Sequence, residues 1–511
     1  MAGKNKAASS YRLSTQDSTF IYGESNNGPL HIGSVSMFQG RIDFHGLLGH
    51  IEERIHLIPR YRQRLAEVPF NVAHPMMEDD PEFSVERHAI RHELDDGLTE
   101  AEAFAEMMEV FQKPLDRARP LWEIHSYENM PGNRTAILWK VHHCLVDGVS
   151  GVELLKVMYD FRAEPEDIPQ PSQPWVAAAP SSSIRRFAEA VRDQISTTVN
   201  STITAAVQAI EEPAAVAERA RMLGEAMRLM TELMTRRIVA TPWNSTPVTQ
   251  ERAVAWSKQS FADFRAIRSA FGGSVNDVVL TMLTEGAARY LAHHGYAVEG
   301  QQLCIGCPVN VRHREERGAL GNRVSMMFPT APAAPMDVVE RLKLIHEETE
   351  RIKSAGLAQA LETVMTLGDA IPPGLIGPAS RAAMLAMDAA GAFAKWSRWT
   401  PNPNGFNLPP IGINFIATNV PGVQVQQYLN GHLCLDMIPL IPLGATMGYG
   451  VAIVSYFRNL YFGMMGEPRV MPDVALMKEF VDEAFAELKE RCADASQATV
   501  AQMKGSESAN A

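Results

Sequence analysis

Two adjacent histidines, followed by an Asp-Gly pair, are the residues best suited by type and spacing to do chemistry. His142 and His143 precede Asp147 and Gly148 at the end of a strand-like stretch. The ordinary pKa of histidine lies close to neutrality, so a neutral imidazole can accept a proton near pH 7. The pair therefore predicts a general base, provided that one ring reaches a substrate.

The residues before the pair predict that the two rings have different roles. The segment from Thr135 to His143 is rich in β-branched and aromatic residues, which is typical of a strand. Because strand side chains alternate between faces, Trp139, Val141 and His143 share one face and His142 lies on the other. One histidine can enter a catalytic channel while its neighbour points into packing.

The chain must turn directly after His143. Gly148 permits tight backbone curvature, and Val152 and Leu155 then follow helical spacing. Asp147 occupies the position of a helix N-cap, and it can equally hold the local geometry that presents His143. The motif is thus predicted to sit between a strand and a helix.

The order of elements predicts a mixed α/β protein with two domains, since 511 residues exceed one ordinary domain. We predict an N-terminal domain over residues 11–168, a linker with a helical hairpin over 169–250, a C-terminal domain over 251–491 and a disordered tail over 492–511. Apolar residues recur every three or four positions over 184–210. That stripe fits either helices packed between the domains or a helix pair at a lipid interface or a partner protein.

Composition excludes several classes of protein. A net charge of −12 without a long Lys/Arg run argues against a nucleic-acid binder. Five cysteines argue for a reducing, cytoplasmic setting and against a disulfide framework. Cys304 and Cys307 lack a second ligand pair and lie in strand-like sequence, so we predict no metal site. The apolar stretches 376–396 and 433–457 contain charged or proline residues and do not predict a transmembrane helix.

The sequence resembles a known family. His142 to Gly148 matches the HHxxxDG signature of coenzyme A-dependent acyltransferases, and the chain is most similar to the wax ester synthase/diacylglycerol acyltransferases within that superfamily. Further segments from Tyr11 to Leu488 occur in the order and spacing of that family: Leu13–Asp17, His31–Gly33, Pro120-Leu121-Trp122, Asn276-Asp277, Asn310–Arg312, Gly321–Arg323 and Thr418–Gly422.

The resemblance implies two domains of the chloramphenicol-acetyltransferase type, each a mixed sheet flanked by helices, with a channel between them. It implies that His143 is the general base, that His142 is structural and that Asp147 orients the loop beside Gly148. Asn276 is the first candidate for a donor to the oxyanion, and a helix cap is the alternative for this residue.

The same resemblance implies less specific roles for several other residues. Arg312 is expected to hold coenzyme A phosphates or to form a structural ion pair. Asn419 and Gly422 are expected to bind coenzyme A or to shape the channel wall. The remaining candidates for the substrate channel have packing or capping as the alternative: Pro120, Leu121, Trp122 and Asp277.

The implied function is transfer of a long-chain acyl group from acyl-CoA, a co-substrate rather than a bound cofactor, to a fatty alcohol or diacylglycerol. Direct attack is expected, since no Gly-x-Ser-x-Gly nucleophile elbow is present. A transferase acting on carrier-protein thioesters or small alcohols and a non-catalytic lipid-surface protein are the alternatives. The substrates imply a cytoplasmic protein that contacts a membrane or lipid droplet peripherally.

Overall fold

The computed structural model describes residues 10–146, 148–193, 238–310, 324–354 and 412–509, with isolated helical positions between 194 and 237. The strands are β1 Ser10–Arg12, β2 His31–Gln39, β3 Gln63–Ala66, β4 Met76–Asp79, β5 Ala89–Glu93, β6 Trp122–Met130, β7 Arg134–His142, β8 Ala253–Ser260, β9 Gln302–Asn310, β10 Val324–Met327, β11 Thr330–Pro332, β12 Phe415–Val420, β13 Tyr428–Leu429, β14 His432–Leu440, β15 Tyr449–Tyr456 and β16 Asn459–Gly466. The helices are α1 Thr15–Gly23, α2 Phe44–Arg54, α3 Glu100–Phe111, α4 Gly148–Met158, α5 Phe261–Phe271, α6 Val275–His293, α7 Val338–Ser354 and α8 Val474–Ala509.

Two mixed sheets form the framework, which confirms the predicted fold class. The first sheet has the order β13-β14-β2-β7-β6-β5, and the second has the order β10-β9-β12-β15-β16-β8 with β11 on β9. Each sheet contains one or more parallel pairs: β5 with β6 in the first, and β12 with β9 and β15 in the second. A small sheet of β1, β4 and β3 lies beside the first.

The two sheets do not follow the two halves of the chain. β13 and β14 come from the predicted C-terminal domain, yet β14 pairs antiparallel with β2, from Cys434 opposite Phe38 to Leu440 opposite Gly33. The predicted boundary at residues 169–250 therefore separates the sequence halves but not the two sheets. Residues 428–440 complete the first sheet.

The two sheets approach closely where β14 meets β16. A Cβ atom on Gly463 of β16 would lie 1.8 Å from the carbonyl oxygen of Pro439 in β14. Only glycine lets the backbones come this near, since any side chain would collide with main-chain atoms. The crossing fixes the spacing of the sheets on one side of the cavity described below.

Local sequence signals placed most elements correctly. Thr99 and Glu102 have the residue types and the spacing of a capping box, and the structure forms one at the start of α3. The strand-like sequence over 448–465 predicts a hairpin that turns near Arg458, and the structure has the β15–β16 pair there, with Phe457 and Arg458 at positive φ. Apolar residues at helical spacing predict a helix from Phe44 to Ile58, but α2 ends earlier, at Arg54, and two short 3-10 turns follow up to Arg62.

The predicted disordered tail over 492–511 is wrong up to Ala509, because α8 continues through Cys492 to that residue. The stretch is rich in alanine, the best helix former, and contains no proline. It also extends a helix that is already held by buried Met477, Val481 and Leu488, so no new nucleation is needed.

Much of the predicted helical hairpin lies outside the described residues. The part that is described, residues 183–193, is helical. Within the described ranges no helix combines the length and apolarity that crossing a membrane requires.

Candidate active site

A cavity of about 570 Å³ lies between the two sheets. Helices α1 and α4 and the first-sheet strands β2, β7 and β14 contribute to its lining, and strands β12 and β15 contribute from the second sheet. Most lining side chains are apolar; those that carry a hydroxyl, amide or imidazole group are Gln16, Thr19, Ser34, Tyr61, His143 and Thr418. An apolar cavity with a few polar groups is typical of a ligand-binding site.

His143 lines this cavity from the end of the first sheet's central strand. β7 ends at His142, and the chain turns at once, with the His143 N–H donating to the Leu30 carbonyl at 2.9 Å. Trp139 and Val141 line the same cavity, as the predicted alternation of faces requires. The half-buried His143 ring is therefore placed where a substrate can reach it.

His142 has the opposite environment. Its side chain is buried, and its Nδ1 accepts a hydrogen bond from the Cys144 N–H at 3.1 Å. A ring proton therefore resides on Nε2, which lies 3.3 Å from Glu24 Oε1. Because both ring nitrogens of His142 face groups of the protein, this histidine is fixed in place rather than open to substrate.

Glu24 joins several parts of the site, and sequence reasoning missed it. Its carboxylate accepts from the Leu30 N–H at 3.0 Å and from the Arg117 guanidinium at 2.8 Å, in addition to the contact with His142. Burial opposes ionisation, but these contacts outweigh it and lower the pKa of Glu24 to about 2. A charged Glu24 thus holds both His142 and Leu30, the residue whose carbonyl binds the His143 backbone.

Phe20 is a second contact that sequence reasoning missed. It lies in the last turn of α1, and its ring stacks on the His143 ring with centroids 4.0 Å apart and planes tilted by 4°. Gln16, Thr19, Phe20 and Gly23 reach the cavity from one face of this helix. Their spacing of three or four residues was the available signal.

The far face of β7 is closed by the C-terminal end of α3. Lys140 Nζ donates to the Val110 carbonyl at 3.2 Å, and His31 Nε2 donates to the Phe111 carbonyl. These donors bind carbonyls of the last helical turn, where the negative end of the helix dipole lies. Burial lowers the pKa of Lys140, and nearby Glu123 offsets part of that effect.

The Pro120-Leu121-Trp122 segment is absent from the described lining of the cavity, and its contacts support the packing alternative for these residues. Trp122 is fully buried, stacks on Tyr61 at 4.9 Å and donates from Nε1 to the Tyr61 carbonyl at 2.8 Å. The Leu121 carbonyl accepts from the His142 N–H at 2.9 Å. The segment supports the turn and the Tyr61 wall from outside, because β6 pairs beside β7.

Asp277 is also not among the described residues lining the cavity. It is fully buried at the start of α6, where it forms a capping box with Ser274. Its carboxylate further accepts from Thr349 Oγ1 at 2.8 Å and contacts His346 Nδ1 at 3.0 Å. Asp277 therefore caps α6 and links it to α7. These contacts support the capping alternative over a role in the substrate channel.

Asn276 and Asn419 meet on the side of β12 away from the cavity. Asn419 Nδ2 lies 3.4 Å from Asn276 Oδ1, whereas the neighbours of Asn419 in β12, Thr418 and Val420, line the cavity. The alternation of side chains along a strand accounts for this division. The placement does not support Asn276 as an oxyanion donor or Asn419 as a coenzyme A ligand.

Gly422 occupies a tight crossing. A Cβ atom there would lie 2.1 Å from the Ser455 carbonyl oxygen, and the Gly422 N–H donates to Ser455 Oγ at 2.9 Å. Close packing thus explains this glycine without a ligand. Gly148 begins α4, as predicted, while Asp147 and Arg312 lie outside the described residues.

The cysteines of β9 and the histidine after α6 have structural environments. Cys304 and Cys307 are buried in β9, and burial raises the pKa of the Cys307 thiol. His294 follows the end of α6 and contacts Asp473 Oδ2 at 2.9 Å. In the part of the chain that the structure describes, no three His, Cys, Asp or Glu side chains are grouped to hold a metal ion.

Proteins of similar sequence match this chain along almost its full length. A probable diacylglycerol O-acyltransferase of Mycobacterium tuberculosis is 27% identical over 485 residues, covering 93% of this chain and 95% of the relative. Another from the same organism is 27% identical over 496 residues, covering 94% and 96%.

Solved structures share the fold. The wax ester synthase/diacylglycerol acyltransferase of Marinobacter aquaeolei VT8 superposes with a TM-score of 0.62 at 20% identity, covering 94% of this chain and all of that one. The starter condensation domain of rhizomide synthetase, solved with C8-CoA and Leu-SNAC, gives 0.57 at 13% identity, covering 96% and 95%.

Two family models divide the chain between them. The wax ester synthase/diacylglycerol acyltransferase catalytic domain matches residues 13–279, and the C-terminal domain of the same family matches residues 320–489. The first match alone covers more than half of the chain. The chain therefore belongs to the wax ester synthase/diacylglycerol acyltransferase family.

Proposed function

We propose that this O-acyltransferase moves a long-chain acyl group from acyl-CoA to a fatty alcohol or a diacylglycerol, with His143 as the general base. The observation that carries the proposal is the contrast within the histidine pair. His143 faces an apolar cavity of about 570 Å³, whereas both nitrogens of His142 face the protein. One ring is thus available for proton transfer and the other is committed to structure.

In the proposed reaction the acceptor hydroxyl enters the cavity beside His143. The imidazole takes the hydroxyl proton as the oxygen attacks the thioester carbonyl, and a tetrahedral intermediate forms. Collapse breaks the carbon–sulfur bond, and the imidazolium returns its proton to the departing coenzyme A thiolate. The products are an ester and free coenzyme A, and His143 ends neutral.

The environment of Cys144 supports direct attack by the acceptor. This residue follows His143 and is the nearest thiol in the sequence, but its side chain is fully buried. Burial raises the pKa of the Cys144 thiol well above its ordinary value, which disfavours the reactive thiolate. An acyl-enzyme at Cys144 is therefore disfavoured, and no burst of coenzyme A release is expected without acceptor.

The lining favours long apolar acceptors and donors. The apolar side chains that line the cavity include Ile416, Val420, Met437, Ile441 and Val454. Burial of an aliphatic chain against such side chains is worth about 0.8 kcal/mol per methylene group. Activity should therefore rise with acyl chain length, whereas a preference for short acyl groups or small alcohols would favour the alternative transferase function.

The test is coenzyme A release by purified protein supplied with acyl-CoA of several chain lengths and with hexadecanol or diacylglycerol. His143→Ala should reduce kcat by about 10²- to 10⁴-fold, the usual contribution of a general base. The matched control is His45→Ala, which removes an exposed histidine and should leave kcat unchanged. Equal rates of coenzyme A release by wild type and His143→Ala would contradict the proposal.

We also propose that the protein works at a lipid surface. Phe70 and Ile184 are 87% and 82% exposed, and Phe70 lies beside Phe187 with ring centroids 5.9 Å apart. Large exposed apolar side chains grouped in this way suit the boundary between lipid headgroups and acyl chains. Phe70→Asp should reduce co-flotation with phosphatidylcholine/diacylglycerol vesicles, while equal flotation of variant and wild type would contradict this surface role.

A further inference from the structure

Helix α1 presents an aromatic ring flat against the proposed base. The Phe20 and His143 ring centroids are 4.0 Å apart, and their planes are tilted by only 4°. Both residues line the cavity, so the stack forms part of its wall. One face of the imidazole is therefore covered by Phe20.

The position of Phe20 is fixed from several directions. Its carbonyl accepts the Glu24 N–H at 3.2 Å, where α1 ends. The Glu24 carboxylate is in turn held by Arg117, whose Nη2 also donates to the Ile21 carbonyl at 2.9 Å. The last turn of α1 is thus anchored to the same residue that contacts His142.

The face of a phenyl ring is negative and attracts a cation that lies above it within about 6 Å of the centroid. A neutral imidazole gains little from that attraction. An imidazolium, which forms when the base accepts a proton, gains it in full. The stack therefore distinguishes between the two protonation states of His143.

We propose that Phe20 is a positioning residue that fixes the plane of the His143 ring and stabilises its imidazolium form during acyl transfer. The inference rests on the proposed function, since it concerns the same base. An interaction that strengthens only as the proton moves lowers the barrier without tightening substrate binding. Phe20 should therefore act on kcat and leave the KM for acyl-CoA unchanged.

Replacement of Phe20 by phenylalanines with one, two and three ring fluorines tests this directly. Fluorine withdraws electron density from the ring face while nearly preserving its shape. We expect a stepwise fall in kcat, reaching about 2- to 30-fold across the series, the range that a cation–π contact can supply. The KM for acyl-CoA and for hexadecanol should stay constant.

The matched control is the same series at Phe83, whose ring stacks on His88 at 5.5 Å and is not part of the described cavity lining. Fluorination there should leave kcat unchanged. Phe20→Leu should lower kcat at least as much as the most fluorinated variant. Phe20→Tyr, which keeps an aromatic ring, should retain most of the wild-type kcat.

The outcomes separate this inference from the proposed function. A constant kcat across the series at position 20, with His143→Ala still inactive, would overturn the role of Phe20 and leave His143 as the base. Full activity of His143→Ala would overturn the proposed function itself. In the His143→Ala background, fluorination at position 20 should have no further effect, and a further stepwise loss there would contradict the inference.

Discussion

The turn after β7 and the start of α6 both contain residues that the family resemblance offers for the active site, and the two regions have opposite environments. At the turn, local hydrogen bonds leave the His143 ring facing a cavity, and distant residues hold its neighbour His142. At the start of α6, Asp277 is fully buried and its carboxylate contacts Ser274, His346 and Thr349.

The comparison shows how a polar side chain that can react with a substrate differs from one that only stabilises the fold. A capping carboxylate whose oxygens all meet donors stabilises the fold and has no capacity left for a substrate. A reactive ring needs an open face and a support behind it. In this protein Glu24, Arg117 and Phe20 provide that support for the histidine pair.

The largest expected effect in this comparison is loss of activity in Glu24→Ala. The change removes the carboxylate that holds His142 and the Leu30 N–H. A displacement of about 1 Å in a catalytic group can cost about 10²-fold in rate, so we expect kcat to fall by roughly that factor. The rate of coenzyme A release measures this fall, and replacement of the exposed Glu52 by Ala is the control. A wild-type kcat in Glu24→Ala would show that activity does not need the Glu24 contacts.

At the start of α6 we expect a loss of stability instead. Asp277→Ala leaves the donors of Ser274, His346 and Thr349 without their acceptor. The free energy of unfolding should fall by about 2–4 kcal/mol, as expected for buried groups left without partners and a lost helix cap. Denaturant titration measures this change, and kcat of the folded variant should stay within a few-fold of wild type. Loss of kcat at unchanged stability would instead place Asp277 in the chemistry.

Acidification should weaken the support of the turn. The pKa of Glu24 is lowered from 4.5 to about 2, so its contribution to stability is present above pH 4.5 and is lost as the pH falls towards 2. That contribution is about 3 kcal/mol at most. Glu24→Gln should be less stable than wild type at pH 7 and should show a shallower decline in unfolding free energy between pH 4.5 and 2. Parallel curves for the two proteins would contradict the lowered pKa.

The smallest effect is expected for Asn276→Ala, at the same helix start as Asp277. Its amide meets Asn419 behind β12 rather than the cavity. A lost oxyanion donor would cost about 2.7–4 kcal/mol in the barrier, a factor of roughly 10² or more. We expect a change in kcat of less than about threefold, measured beside His143→Ala. A hundredfold loss would restore Asn276 to the active site.

The parts of the site that the sequence predicted depend on short-range rules. Strand alternation placed His143 and His142 on opposite faces, and capping-box spacing located the start of α3. A helix cap was the alternative given for Asn276, and the structure has a cap at the start of α6. Each of these rules involves residues within a few positions of one another.

The missed parts depend on contacts between distant residues. Glu24 and Arg117 are 93 positions apart, and the stack of Phe20 on His143 also requires the folded sheet. A single sequence carries no local signal for such pairs. The environment of Asn419 could not be predicted for a related reason, because strand alternation fixes opposite faces but does not say which face borders the cavity.

The position of β14 near the C-terminal end of the chain has a consequence for synthesis of the protein. His432 at the start of β14 contacts the Gln39 carbonyl 393 positions earlier, so β2 emerges from the ribosome long before its partner. Until then one edge of β2 presents unpaired N–H and C=O groups, which invite pairing with other chains. A fragment truncated at the linker would keep that edge exposed for good. Supplying residues 412–509 on a separate polypeptide would be expected to reduce its aggregation by fragment complementation.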